Sequence, residues 1–228
     1  MSGADKSDKK QDSSDGQAAL DAYLRLLESK GADSEVLSLR RRVLSRLNLI
    51  MRGQARTTTI YRSAVDALLS LCLPEDRPGA MTAAREYYYF WIGDVKKVTE
   101  MNARSGFTTR HVRLPVLSSF GDLQQRMQQD GYQQFPPSLE LYLGQLYELG
   151  SDEVVLGERG ALLKPLLYLL HDQVHHPDSY RMAVDAMLLH LSDSEAKESF
   201  LSIAREFFYY WLSFPDADIR GQFGVQSA

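Results

Sequence analysis

"AREYYYFWIG" at residues 84–93 and "AREFFYYWLS" at residues 204–213 place five consecutive aromatics behind the same Ala-Arg-Glu trio, twice in one chain. Reading outward from these runs, residues 19–69 align with 138–188 at a constant offset of 119, and 19 of those 51 pairs are identical. The identities include Tyr23 with Tyr142, Gly31 with Gly150, Asp33 with Asp152, Arg40 with Arg159, and "YRSAVDALL" at 61–69 with "YRMAVDAML" at 180–188. One extra residue in the second copy then brings Ala84-Arg85-Glu86 onto Ala204-Arg205-Glu206 and Trp91 onto Trp211. A repeat of about 120 residues exceeds the 20–50 residues of stacked solenoid units, so each copy reads as a small domain or half of a larger one.

Each copy reads as four helices. Gly31 and Gly150 suit the left-handed position beyond a helix end, and Asp33 or Ser34 is placed to cap a second helix running to about Arg52. Val36, Leu37, Leu44 and Leu47 recur at helical spacing. In the second copy the matching helix, from about Asp152 to His176, carries Gly157, Gly160 and Pro165, which predicts a kink or break near Lys164. The third helix holds "YRxAVDAxL", the fourth holds the aromatic run, and Ser192 with Glu195 has capping-box spacing before the last of them. "HVRLPVL" at 111–117 is the one strand candidate.

The fold class predicted is all-α: two tandem, sequence-related four-helix units joined by a linker containing a short helix. The expected boundaries are a disordered polar tail at 1–16, helical repeat 1 at 17–100, the linker at 101–137, helical repeat 2 at 138–215 and a C-terminal tail at 216–228. Within the linker, "DLQQRMQQD" can form a helix capped by Ser118 or Ser119.

Five successive helical residues, about 100° apart, cover the whole circumference and cannot all meet one core stripe. Tyr88, Trp91, Phe208 and Trp211 are expected to fill their own copy. Tyr87, Tyr89, Phe90, Phe207, Tyr209 and Tyr210 are left for a seam between the copies or for a partner. Arg85-Glu86 and Arg205-Glu206 read as internal struts, with Asp66 and Asp185 as candidate counterparts, and Tyr61, Arg62, Tyr180 and Arg181 read as structural in the same way.

Charge separates the copies. Residues 19–100 hold 13 Lys and Arg against 10 Asp and Glu, whereas residues 138–219 hold 5 against 14, net charges of +3 and −9. Arg40, Arg41, Arg42, Arg46, Arg52 and Arg56 stand in a stretch with no acidic residue, a candidate surface for an acidic protein or, as the alternative, for nucleic acid. The opposite charges of the copies also permit self-association.

Catalytic signatures are absent: there is no phosphate-cradling glycine loop, nucleophile elbow or HExxH pattern. "HDQVHH" at 171–176 sets His171 and His175 at i,i+4, a spacing able to hold a metal, but two ligands do not make a site and the first copy has Arg52 and Arg56 there. A single Cys72 excludes an internal disulfide. No apolar run approaches the ~20 residues of a membrane-spanning helix, and the polar start carries no secretory signal. The expectation is therefore a cytoplasmic, non-enzymatic adaptor, chaperone or complex subunit without cofactor, using aromatic and charged helix surfaces on protein partners.

Overall fold

The computed structural model describes residues 4–104, 106–191 and 193–214. Among these residues there are ten α-helices and no strand. Two compact units meet in sequence between Arg113 and Leu114. The first holds α1 (Ala4–Ser29), α2 (Ser34–Ile50), α3 (Thr58–Leu71), α4 (Arg77–Ile92) and α5 (Val95–Ala103). The second holds α6 (Phe120–Gln129), α7 (Pro137–Glu148), α8 (Glu153–Leu170), α9 (Pro177–His190) and α10 (Ser194–Ser213). The segment 101–137 is thus shared out, its first part lying in unit 1 and the rest, with α6, in unit 2.

Several boundaries follow from local chemistry. Gly31 and Gly150 adopt φ of 75° and 90° just past α1 and α7, a conformation that costs a side-chain-bearing residue energy. Asp152 accepts from the Val155 amide at 2.9 Å and Ser119 from the Asp122 amide at 3.0 Å, each satisfying an orphan donor of a first helical turn. Asp193 caps α10 by accepting from the Ala196 amide at 2.6 Å; Ser192, the expected cap, lies outside the described residues, as does the tail from 215 onward.

Three expectations change. α1 begins at Ala4, well before Gln17, where the sequence places a polar tail. α8 runs through Pro165 as one element and ends at Leu170, so the helix does not reach the histidine cluster. Residues 111–117 are irregular, because Pro115 and the absence of a partner strand leave nothing to pair with.

In unit 1, α1 packs on α2 and α4, and α2 on α3 and α4, with α3 on α4 and α5 on α4. Leu20, Tyr23, Leu27, Leu44, Leu47, Leu68, Ala83 and Tyr87 form its buried centre. Unit 2 repeats the pairings with α7, α8, α9 and α10, and adds α6 against α8. Its core gathers Tyr142, Leu163, Leu166, Ala183, Met187, Phe200, Phe207 and Trp211, with Leu117 and Leu123 from the segment ahead of α7. Each buried Leu, Met or Phe side chain among them contributes about 1.5–3 kcal/mol by leaving water. No helix among the described residues is long and apolar enough to cross a membrane.

Candidate functional site

In unit 1, α1, α2 and α4 deliver Tyr23, Arg40 and Glu86 to one buried point. The Tyr23 hydroxyl donates to Glu86 Oε2 at 2.7 Å. Arg40 Nη2 lies 3.8 Å from the same oxygen, and its Nη1 donates to the Gly79 carbonyl at 2.7 Å. A carboxylate out of water must be fully partnered, and the last donor comes from outside the helices: the Thr108 amide donates to Glu86 Oε1 at 2.9 Å. Residues 106–113 run over this point as a cover. Phe107 is buried against Tyr23 and Phe90, with ring centroids 6.3 and 6.1 Å away. The Thr109 carbonyl accepts from the Asp33 amide at 2.9 Å, and the His111 amide donates to the Asp33 carboxylate at 2.9 Å. His111 and Arg113 then pair with Glu35 at 3.5 and 3.4 Å. Burial drives the Tyr23 hydroxyl well above its usual pKa.

Unit 2 sets the same residue types together from α7, α8 and α10. The Tyr142 hydroxyl donates to Glu206 Oε2 at 3.0 Å, and the Arg159 guanidinium donates to both. Here the group is open. The Glu206 side chain is 45% exposed and that of Arg159 22%, against 0% and 3% for Glu86 and Arg40. Glu206 Oε1 has a long 3.5 Å contact from the Ser202 hydroxyl where Glu86 has the Thr108 amide. Partial burial raises the Glu206 carboxyl, but the hydrogen bonds from Arg159 and Tyr142 outweigh it and hold it below the usual range. Burial pushes the Tyr142 hydroxyl up to about 12, the Arg159 contact notwithstanding.

The side chains around the turn between α7 and α8 are apolar where their matches in unit 1 are charged. Tyr147, Leu149 and Val154 are 66%, 74% and 69% exposed. At the offset of 119 they stand where unit 1 has Glu28, Lys30 and Glu35. Large exposed apolar side chains gathered at one turn are the usual mark of an interaction surface.

The residues singled out by sequence divide. Arg40, Tyr87 and Phe207 are interior, a correction to their reading as partner contacts: Arg40 is held by Gly79 and Glu86, and the Tyr87 hydroxyl donates to Gly16 and Asn48 at 3.0 Å each. Arg42 is exposed but binds Asp76 at 2.6 Å. Arg41 and Arg46 are exposed on α2. Arg52 and Arg56 line a cleft of about 400 Å³ with Gly16, Gln17, Asn48 and Trp91, and Arg56 donates to the Trp91 carbonyl at 3.4 Å. Phe90 and Tyr210 are half-buried against Tyr23 and Tyr142, with centroids 5.3 and 5.1 Å away, and Tyr210 also donates to Gln145. Tyr89 is half-buried beside Tyr88, and Tyr209 is exposed.

The struts also differ from expectation. The glutamates of the two Arg-Glu pairs are tied to Arg40 and Arg159, which project from second helices packed directly on α4 and α10. His171 and His175 lie beyond the end of α8. His171 stacks on Tyr168 and meets Asp172 at 2.9 Å, while the His175 ring sits 3.9 Å from that of Trp211. No group of three or more ligand side chains able to hold a metal occurs among the described residues. Sequence reasoning missed Tyr142, Arg159 and Glu206 as a surface group; the signal was the recurrence of Tyr, Arg and Glu at both sets of matched positions, read only as scaffold. Comparison with protein-family models, with curated proteins and with solved structures finds no match.

Proposed function

We propose that the chain is a non-enzymatic α-helical interaction protein, an adaptor, chaperone or assembly subunit of the cytoplasm, built from two diverged copies of one four-helix unit. The copies share an internal frame: Tyr61 and Tyr180 each donate to the carbonyl of the matched Ala84 or Ala204, at 2.6 and 2.7 Å, and the Tyr–Arg–Glu groups correspond residue by residue. Divergence is concentrated on the outside, in net charge and at the turn after the first helix. The observation that carries the reading is the set of exposed apolar side chains, Tyr147, Leu149 and Val154, around the α7–α8 turn, where the first copy is charged. Such a surface gains free energy when another protein covers it.

Nucleic acid is the second reading, favoured by the exposure of Arg41, Arg46, Arg52 and Arg56. Protein remains preferred, because Arg40 is internal and Arg42 is neutralised by Asp76. Affinity capture from the native extract with the wild-type chain and with Leu149→Glu decides between them. Proteins retained by the first and lost by the second support the adaptor reading. Retention of nucleic acid that weakens with salt and on Arg46→Ala and Arg52→Ala supports the other.

A further inference from the structure

Unit 1 shows what its own Tyr–Arg–Glu group requires. Phe107 closes over Tyr23 and Phe90, the next amide satisfies Glu86, and three and five residues further along His111 and Arg113 answer Glu35 from an irregular stretch fixed to Asp33. Unit 2 presents matching elements without such a stretch among the described residues: Glu206 in place of Glu86 and Tyr210 in place of Phe90 are exposed or half-buried, while Tyr142, in place of Tyr23, is itself buried and Asp152, in place of Asp33, caps α8. One receiving position has changed character. Val154 replaces Glu35 and is exposed.

We infer that unit 2 binds a segment of a partner protein across Tyr210, Glu206 and the α7–α8 turn, in the way residues 106–113 lie across unit 1. The chemistry of that segment follows from the receiving groups. An aromatic residue packs on the half-buried Tyr210 ring, and the amide after it donates to Glu206 Oε1, which has a long 3.5 Å contact from the Ser202 hydroxyl. Four to six positions on, where unit 1 places His111 and Arg113 against Glu35, the segment carries an apolar residue against Val154. Elsewhere it is neutral or basic, because residues 138–219 carry 5 Lys and Arg against 14 Asp and Glu. Backbone hydrogen bonding plus side-chain pockets is a general mode of reading extended peptides. The inference rests on the adaptor reading only in taking the occupant from another protein.

The probe is the labelled peptide RSGFTTRHVR, residues 104–113 of this chain, titrated onto the full-length protein and followed by fluorescence anisotropy. Saturable one-to-one binding is expected. Replacing His111 and Arg113 of the peptide by leucine tightens it by about tenfold, roughly 1.4 kcal/mol of apolar contact. Phe107→Ala in the peptide, or Glu206→Gln in the protein, weakens it by at least about tenfold, whereas Val154→Glu, which restores the acidic partner that His111 and Arg113 have in unit 1, tightens the unmodified peptide and weakens the leucine-substituted one. Val154 is exposed, so its substitution leaves the fold intact, and it lies in unit 2, so exchange of the peptide into unit 1 is insensitive to it. No binding, or binding indifferent to Val154→Glu and Glu206→Gln, overturns the inference. So does tighter binding on Phe223→Ala, which would make this chain's own C-terminal segment the occupant. Partner capture that depends on Leu149 alongside absent peptide binding would leave the adaptor reading standing while this inference fails.

Discussion

The Tyr23 hydroxyl donates to the Glu86 carboxylate at 2.7 Å across 63 residues of sequence, and this bond ties the first helix of unit 1 to its fourth. It survives at a buried carboxylate because Arg40 and the Thr108 amide complete that group's partners. The covering segment is therefore part of the fold of unit 1 and not an appendage to it.

Phe107→Ala tests that statement. Removing a buried ring leaves a cavity over Tyr23 and Phe90 and admits water to Glu86, so unit 1 should lose about 3–5 kcal/mol, read as a lower midpoint in urea. A loss under about 1 kcal/mol would mean that residues 106–113 rest on the unit without holding it.

Tyr61→Phe and Tyr180→Phe should cost nearly equal amounts, about 1 kcal/mol each, because each removes one buried hydroxyl donor to the matched alanine carbonyl. Thermal unfolding of both variants checks this; a cost confined to one would show that the two units do not share the strut.

Alkaline pH should unfold the protein before its interior tyrosines ionise. Burial raises Tyr23 and Tyr61 well above the usual value, and raises Tyr87 and Tyr142 to about 12. In the unfolded chain these hydroxyls titrate near about 10. A raised folded pKa gives stability that is complete below the unfolded value and lost as pH rises through the folded one, so stability should fall between about 10 and 12. The last part of the tyrosinate absorbance and the loss of circular dichroism should come at the same pH; complete tyrosinate absorbance in a still-helical protein contradicts the prediction.

Acid acts on Glu206 in the opposite sense. Its carboxyl is held below the usual range, so the stability it supplies is present above an unfolded pKa of about 4.3 and disappears as pH falls through the folded value. Glu206→Gln should flatten the acid limb of the stability curve, and an unchanged limb would show that the Arg159 contact contributes nothing to folding.

Much of the architecture was legible in the residues. Gly31, Gly150, Asp152 and Ser119 mark helix ends through local chemistry that needs no knowledge of the tertiary fold. The roles of neighbours in the arginine cluster were not legible, because Arg40, Arg41 and Arg42 differ only in which way the helix turns them, inward for the first and outward for the others. Phe107 and Thr108 escaped notice for a related reason: an irregular segment has no period, and its value arises from the buried Glu86 it happens to meet. Asp33 illustrates the same limit. It sits at the start of α2 as a cap should, yet its carboxylate accepts from His111 in the covering segment instead.

A pair of double-mutant cycles tests the shared frame most directly: Tyr23→Phe with Glu86→Gln in unit 1, and Tyr142→Phe with Glu206→Gln in unit 2, each read by urea unfolding. Coupling of about 1–3 kcal/mol is predicted for the buried pair and about 0.5–1 kcal/mol for the half-open one, both favourable. Coupling in unit 1 with none between Tyr142 and Glu206 would contradict a common frame, and with it the account of unit 2 as an uncovered counterpart of unit 1.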